Sequence, residues 1–180
     1  MTAQTANRIR LQGASHLLMS EPDEGLWTDL VKPNFVPLSS ANWQGYVSHW
    51  AVKGSALYLE DVQGSVCRRH PEVGAERSNW CQIGHYGNCD RRPIRLSDIC
   101  YVPPDGLRAD WFSGELRVPQ GRLIEYVHAG WASGFERDLI LQVVDGRIVS
   151  EEMKQVPSDP WVPPKSCWRK MTGWFVKCCT

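Results

Sequence analysis

The strongest constraint on this chain is Asp145-Gly146, flanked by Asp138-Leu-Ile-Leu-Gln-Val-Val before it and Arg147-Ile-Val-Ser-Glu-Glu after it. A two-residue type I′ turn needs positive φ at both central positions, and Asp-Gly supplies it, so the two runs leave the turn as antiparallel strands. Two other places follow the same grammar. Gly45-Tyr-Val-Ser-His-Trp-Ala-Val and Ala56-Leu-Tyr-Leu-Glu-Asp-Val flank a short Lys53-Gly-Ser break, which reads as a hairpin. Ala109-Asp-Trp-Phe-Ser-Gly-Glu-Leu-Arg-Val and Arg122-Leu-Ile-Glu-Tyr-Val-His flank Pro119-Gln-Gly, which reads as a second. No stretch keeps a sustained helical period, although residues 20–32 allow a helix. The expectation is a mainly β chain whose antiparallel hairpins form a rolled sheet, a barrel or a sandwich.

Length decides whether such a sheet can enclose a core. At 180 residues and 20.4 kDa, about 70% of the unfolded surface can be buried, enough for one domain over residues 1–180 without staples. Hydrophobic residues at 42% and charged residues at 22% exclude a disordered chain, a coiled coil and a collagen-like repeat. Lys plus Arg (20) balance Asp plus Glu (20), so the basic footprint of a nucleic-acid partner is absent. No run approaches eighteen apolar residues, which argues against a membrane partner. The first 25 residues hold no apolar signal core, and the expected address is cytoplasmic. The terminal Lys-Cys-Cys-Thr lacks the spacing of a prenylation box.

Three segments differ from the hairpins. Residues 1–15 are polar and read as a loose arm. Residues 63–104 are rich in Cys, Arg, Asn and Gly and read as an irregular insertion with little core. Residues 157–180 form a Pro-rich C-terminal segment, and its stretch 157–164, with Pro157, Pro160, Pro163 and Pro164, excludes regular helix; Cys167-Trp-Arg-Lys-Met-Thr-Gly-Trp-Phe-Val could add a last strand.

Trp43-Gln-Gly-Tyr-Val-Ser-His-Trp, Leu57-Tyr-Leu-Glu-Asp-Val, Ala109-Asp-Trp-Phe-Ser-Gly-Glu-Leu-Arg-Val-Pro-Gln-Gly and Glu125-Tyr-Val-His-Ala-Gly-Trp resemble a family of small uncharacterised bacterial β-rich proteins. The resemblance covers residues 10–62 and 105–150. That family has no assigned activity, so the resemblance carries no catalytic role onto this chain. The segment 63–104 is longer and richer in cysteine than the family pattern.

Three constellations could carry chemistry. Seven cysteines stand at 67, 81, 89, 100, 167, 178 and 179. Cys67 with His70, and Cys81 with His85 or Cys89, could supply the paired thiolate and imidazole ligands that zinc prefers, and a metal would order a segment poor in aliphatics. Free thiols are the plainer reading, and a disulfide such as Cys81 with Cys89 or Cys100 requires leaving the cytosol. The second constellation is His128 with the carboxylates Glu125, Asp110 and Glu136. A histidine at a strand end can serve as general acid or base because its pKa lies near operating pH; the plainer reading is solvated strand charges. The third is aromatic: nine tryptophans, of which Trp50, Trp111 and Trp131, with Tyr126 and Asp138, could line a ligand pocket. Trp43, Tyr46 and Tyr58 also fall in or beside expected strands, where core is the plainer role. Trp131, in a Gly-rich turn, is the best placed for a mouth or an interface.

The sequence therefore points to a β protein that binds a small organic ligand, with an enzyme role open if Trp50, Tyr126 and His128 share one pocket. The alternative is a non-enzymatic module whose Cys/Arg-rich insertion docks a protein partner, with or without zinc.

Overall fold

A computed structural model describes residues 3–37, 39–68 and 90–155. In chain order these form β1 (Asn7–Leu11), β2 (Ala14–Leu18), the single helical turn α1 (Leu26–Asp29), β3 (Tyr46–Lys53), β4 (Ala56–Arg68), β5 (Asp90–Arg95), a 3-10 turn at Leu96–Asp98, β6 (Leu107–Arg108), β7 (Gly114–Glu125), β8 (Gly134–Val144) and β9 (Arg147–Gln155). Among the described residues, nine strands make one sheet in the order β2-β1-β3-β4-β9-β8-β7, with β5 and β6 also paired to β4. The pairing is antiparallel except between β1 and β3, which run parallel.

Two of the three expected hairpins form where the turn residues place them. β3 and β4 pair from Lys53↔Ala56 to Tyr46↔Gly64, with a bulge between His49 and Trp50. β8 and β9 meet at Val144↔Arg147, and Asp145 and Gly146 take φ of 46° and 70°, the positive pair a type I′ turn requires. The alternation on β3 sets its buried face: Tyr46, Ser48 and Trp50 are all sealed from solvent, as period two dictates.

The hairpin expected at Pro119-Gln-Gly is a correction. β7 runs through Pro119, which pairs with Asp138, and Gln120-Gly-Arg-Leu forms a register shift against β8. The chain reverses later, over residues 126–133, so the true hairpin is β7–β8. Proline suits an extended strand where its missing N–H is not needed, and glycine within a strand marks a bulge as readily as a turn.

The loose arm expected over residues 1–15 is also corrected. Ala3 bridges Gly130, and β1 and β2 form a hairpin around Gln12-Gly13. Ile9 of β1 and Leu18 of β2 are completely buried; one apolar anchor on each strand seats a polar-looking segment. Within the expected insertion, β4 continues to Arg68 and pairs with β5 from Gln63↔Arg95 to Arg68↔Asp90, and Leu96 is fully buried. The ends of that segment thus belong to the sheet, while residues 69–89 lie outside the described residues, as does the Pro-rich segment 157–180. The helix allowed in 20–32 is one turn.

One core serves the sheet. Ile9, Leu18, Trp50, Leu57, Leu59 and Val62 pack with Leu96, Leu116, Val118, Leu141 and Val143. The sheet does not close. β4 and β9 share only the pair Ala56↔Arg147. At the opposite side β2 and β7 approach: the Met19 N–H donates to the Arg117 carbonyl (2.9 Å), and the Arg117 N–H donates to Ser20 Oγ (2.9 Å).

Candidate functional site

The pocket expected from Trp50, Tyr126 and His128 does not form. Trp50 is 1% exposed and Tyr126 is 62% exposed, and the Trp50 indole N–H is held by Ser48 Oγ (2.8 Å) inside the core. The two-residue alternation of β3, which puts Trp50 on the same buried face as Tyr46 and Ser48, sends the indole into the interior. Tyr126 lies in the exposed stretch after β7, its hydroxyl 3.2 Å from His128 Nδ1. Trp111 is half-buried, packed edge-on to Trp50, and its indole N–H donates to the Pro22 carbonyl (3.0 Å).

The carboxylates proposed to serve His128 are occupied separately. Asp110 pairs with Arg108 at 2.7 Å. Glu136 pairs with Arg122 at 2.7 Å, and the hydrogen bonds from the Arg122 side chain and backbone hold its pKa below the usual carboxylate value. Glu125 sits opposite Gly134 at the end of the β7–β8 ladder. Asp110 and Glu136 are each taken by a neighbouring arginine, and among the described residues no acid–base set assembles around His128.

Of the zinc ligands expected, Cys67 is disulfide-bonded, which leaves it no thiolate to give a metal. His70, Cys81, His85 and Cys89 lie outside the described residues. Among the described residues no group of three or more His, Cys, Asp or Glu is placed to hold a metal ion. Cys100 is a free thiol, so it is not the disulfide partner weighed for Cys81; burial raises its pKa.

A different site emerges where the N-terminal segment crosses between two loops. Residues 3–5 run as a tie. The Gln4 N–H donates to the Gly130 carbonyl (2.8 Å) and the Thr5 N–H to the Ala41 carbonyl (2.6 Å). The Gln4 side chain completes the tie: its Nε2 donates to the Ser40 carbonyl (3.0 Å) and its Oε1 accepts the Trp43 N–H (2.9 Å). The Asn42–Gly45 turn is fixed by the Gly45 N–H, which donates to Asn42 Oδ1 (3.1 Å). Gly45 has φ of 76°, and a Cβ there would stand 2.9 Å from the backbone of Phe35 and Val36. Only glycine lets the turn lie this close. The turn points Trp43 outward, 69% exposed.

The facing loop carries Trp131. The Ala132 N–H donates to the Ala129 carbonyl (3.0 Å), placing Gly130 and Trp131 at the centre of a tight turn. Arg117 clamps it from below: Nη1 donates to the Trp131 carbonyl (2.8 Å), Nη2 to the Ser133 carbonyl (2.9 Å) and Nε to Asp138 Oδ2 (2.9 Å). Asp138, expected to touch ligand, is instead a buried residue that orients this arginine. A planar guanidinium is suited to three fixed acceptors at once.

Between the two loops lies an open cleft of about 220 Å³, lined by Gln4, Thr5, Glu21, Asn42, Trp43, Gln44, Gly130 and Trp131. It holds two indoles, side-chain amides, a hydroxyl and one ionisable group. That group, Glu21, has a pKa above the ordinary carboxylate value. Desolvation of its carboxyl contributes most, then repulsion from Asp23 and Glu24, with Lys32 acting the other way. The Trp131 indole Nε1 is buried and has no hydrogen-bond partner among the described residues.

Of this lining the sequence singles out only Trp131 as a pocket mouth. Trp43 reads there with the strand aromatics, and Gln4 and Thr5 with a loose arm. Ala41-Asn-Trp-Gln-Gly does hold a signal, since Asn and Gly bracket a turn and a tryptophan inside a turn has no core to enter. No family model, curated protein or solved structure matches this chain. Among the described residues no helix is long and apolar enough to cross a membrane.

Proposed function

We propose that this protein binds a small organic ligand in the cleft between the Trp43 and Trp131 loops. One observation carries the reading: two tryptophans wall an open cleft, one of them 69% exposed. A large aromatic face left in water by a rigid turn is a cost to the folded chain that a ligand would remove. The tie from Gln4, the Asn42–Gly45 turn and the Arg117 clamp hold both loops before any ligand arrives, and such preorganisation reduces the entropy lost on binding. Binding, rather than catalysis at His128, is the role these contacts support, with neither nucleic acid nor membrane as partner. The reading assumes a rolled sheet of the barrel kind, which the hydrogen bonds between residues 19–20 and 117 support. For the compartment, the disulfide at Cys67 favours an oxidising setting over the cytoplasm expected from the sequence. Free-thiol titration of the unreduced, denatured protein checks it, with no more than five of the seven cysteines reacting.

The test is a fragment and metabolite library screened by saturation-transfer NMR on the full chain, beside Trp43→Ala and Trp131→Phe. Hits at the cleft should weaken at least about ten-fold in Trp43→Ala, equivalent to about 1.4 kcal/mol. A library with no millimolar hit, or hits indifferent to both substitutions, removes the proposal.

A further inference from the structure

Taking that cleft as a ligand site, we infer that its ligand is a neutral sugar, one pyranose ring lying on Trp43 with its hydroxyl edge turned to the amides. The chemistry of the lining narrows the class. Among the described residues Glu21 is the one ionisable residue in the wall, and none of them lines it with a cation to receive a phosphate, sulfate or carboxylate; an anionic ligand would have the Glu21 carboxylate against it there, with Lys32 acting on Glu21 from outside the wall. The volume of about 220 Å³ falls below the roughly 300–1,000 Å³ that encloses a drug-sized molecule. It takes one ring and leaves the rest of the ligand in water, so the remainder must itself be polar.

The wall then asks for a ring with two characters. The exposed indole offers a broad π face with negative charge density at its centre, which attracts the weakly positive hydrogens of an apolar C–H face. Around it stand Gln44 and Thr5, whose amide and hydroxyl both donate and accept, and Asn42, whose Oδ1 already accepts the Gly45 N–H and whose amide N–H groups can donate. A pyranose meets both demands, since one ring face can present C–H groups while its edge carries hydroxyls. A purely apolar ligand would offer nothing to the Gln44 amide and the Thr5 hydroxyl of the wall, which costs affinity. A pyranose can also arrive as a free oligosaccharide or as part of an insoluble polysaccharide, and the two are separable by experiment.

Cellohexaose, chitohexaose and maltohexaose are titrated into the full chain by calorimetry, following tryptophan fluorescence in parallel; crystalline cellulose and chitin are tested by sedimentation. At least one should bind with Kd below about 1 mM. Trp43→Ala should weaken it ten-fold or more, and Gln44→Ala about three-fold or more, with circular dichroism and Tm unchanged because Trp43 is exposed and Gln44 lies outside the core. Binding to the solid alone identifies a polysaccharide surface, and binding of the hexamers identifies the free sugar; either supports the inference. Sugar binding that survives Trp43→Ala overturns it. So does the absence of any sugar binding while library fragments still bind at Trp43, an outcome that leaves the cleft a ligand site and removes only the sugar. Failure of both screens removes the cleft as a site altogether.

Discussion

Arg117 and Glu21 show how single side chains set the cleft from opposite directions. The guanidinium is three-quarters buried and its partner Asp138 nearly nine-tenths, so the pair holds the Trp131 loop from beneath. Glu21 stands at the surface of the same cleft, where its carboxyl is easier to protonate than usual. Its raised pKa has a definite consequence for stability. A group whose folded pKa exceeds its unfolded value contributes stability that is present below the unfolded value, near 4.5 here, and lost as pH rises through the folded value. Glu21→Gln should therefore match wild type below about pH 4 and become the more stable of the two by neutral pH. The gain should stay under about 1 kcal/mol, because an exposed charge is screened by solvent. Urea midpoints at pH 4 and pH 7 for the two proteins measure it; an equal gap at both values would mean that ionisation is not the cause.

At the scale of elements, turn chemistry was legible and loop chemistry was not. Asp145-Gly146 declared its hairpin because two residues leave the backbone a single compatible geometry. Pro119-Gln-Gly resembled a turn equally well, yet became a bulge, since pairing with Asp138 and Arg137 continued the strand past it; the partner strand lay nearly twenty residues away and local pattern carried no trace of it. Trp50 and Trp43 differ for the same reason. Trp50 lies within β3 and Trp43 in the turn before it; alternation puts Trp50 on one face with Tyr46 and Ser48, but only the packed sheet shows that this face is the inner one and that Trp43 stands outward. The hairpin turns themselves differ in a testable way. Gly146 and Gly54 both have positive φ, but a Cβ on Gly146 would stand 2.7 Å from the Ala109 backbone, whereas one on Gly54 would meet none of the described residues within 4 Å. Gly54→Ala should cost about 1–2 kcal/mol from the left-handed backbone alone. Gly146→Ala should add about 1–3 kcal/mol of overpacking to that. Thermal denaturation of both variants separates the two contributions, and equal losses would contradict the close approach to Ala109.

For the whole molecule the question is how a sheet with so thin a seam holds together. The ladder between β4 and β9 is one residue pair, extended by the Leu57 N–H to the Gly146 carbonyl (2.9 Å) and the Ile148 N–H to the Ser55 carbonyl (2.8 Å). A few such bonds, each contributing on the order of 1 kcal/mol net, do not bind two halves into one unit. The core does, because Leu57, Leu59 and Val62 of β4 share it with Leu116 and Val118 of β7 and Leu141 and Val143 of β8. Leu116 is fully buried, and truncating it removes transfer energy and leaves a cavity, so Leu116→Ala should cost about 2–5 kcal/mol. If burial is what couples the halves, that loss must be felt on both sides of the seam. The most protected amides of β4, at Leu57 and Leu59, should then lose as much hydrogen-exchange protection as those of β8, at Leu141 and Val143, and urea unfolding should stay a single transition. Loss confined to β7–β9, with β3–β4 still protected, would show that the three C-terminal strands fold as a separate unit and that the seam, not the core, is the joint.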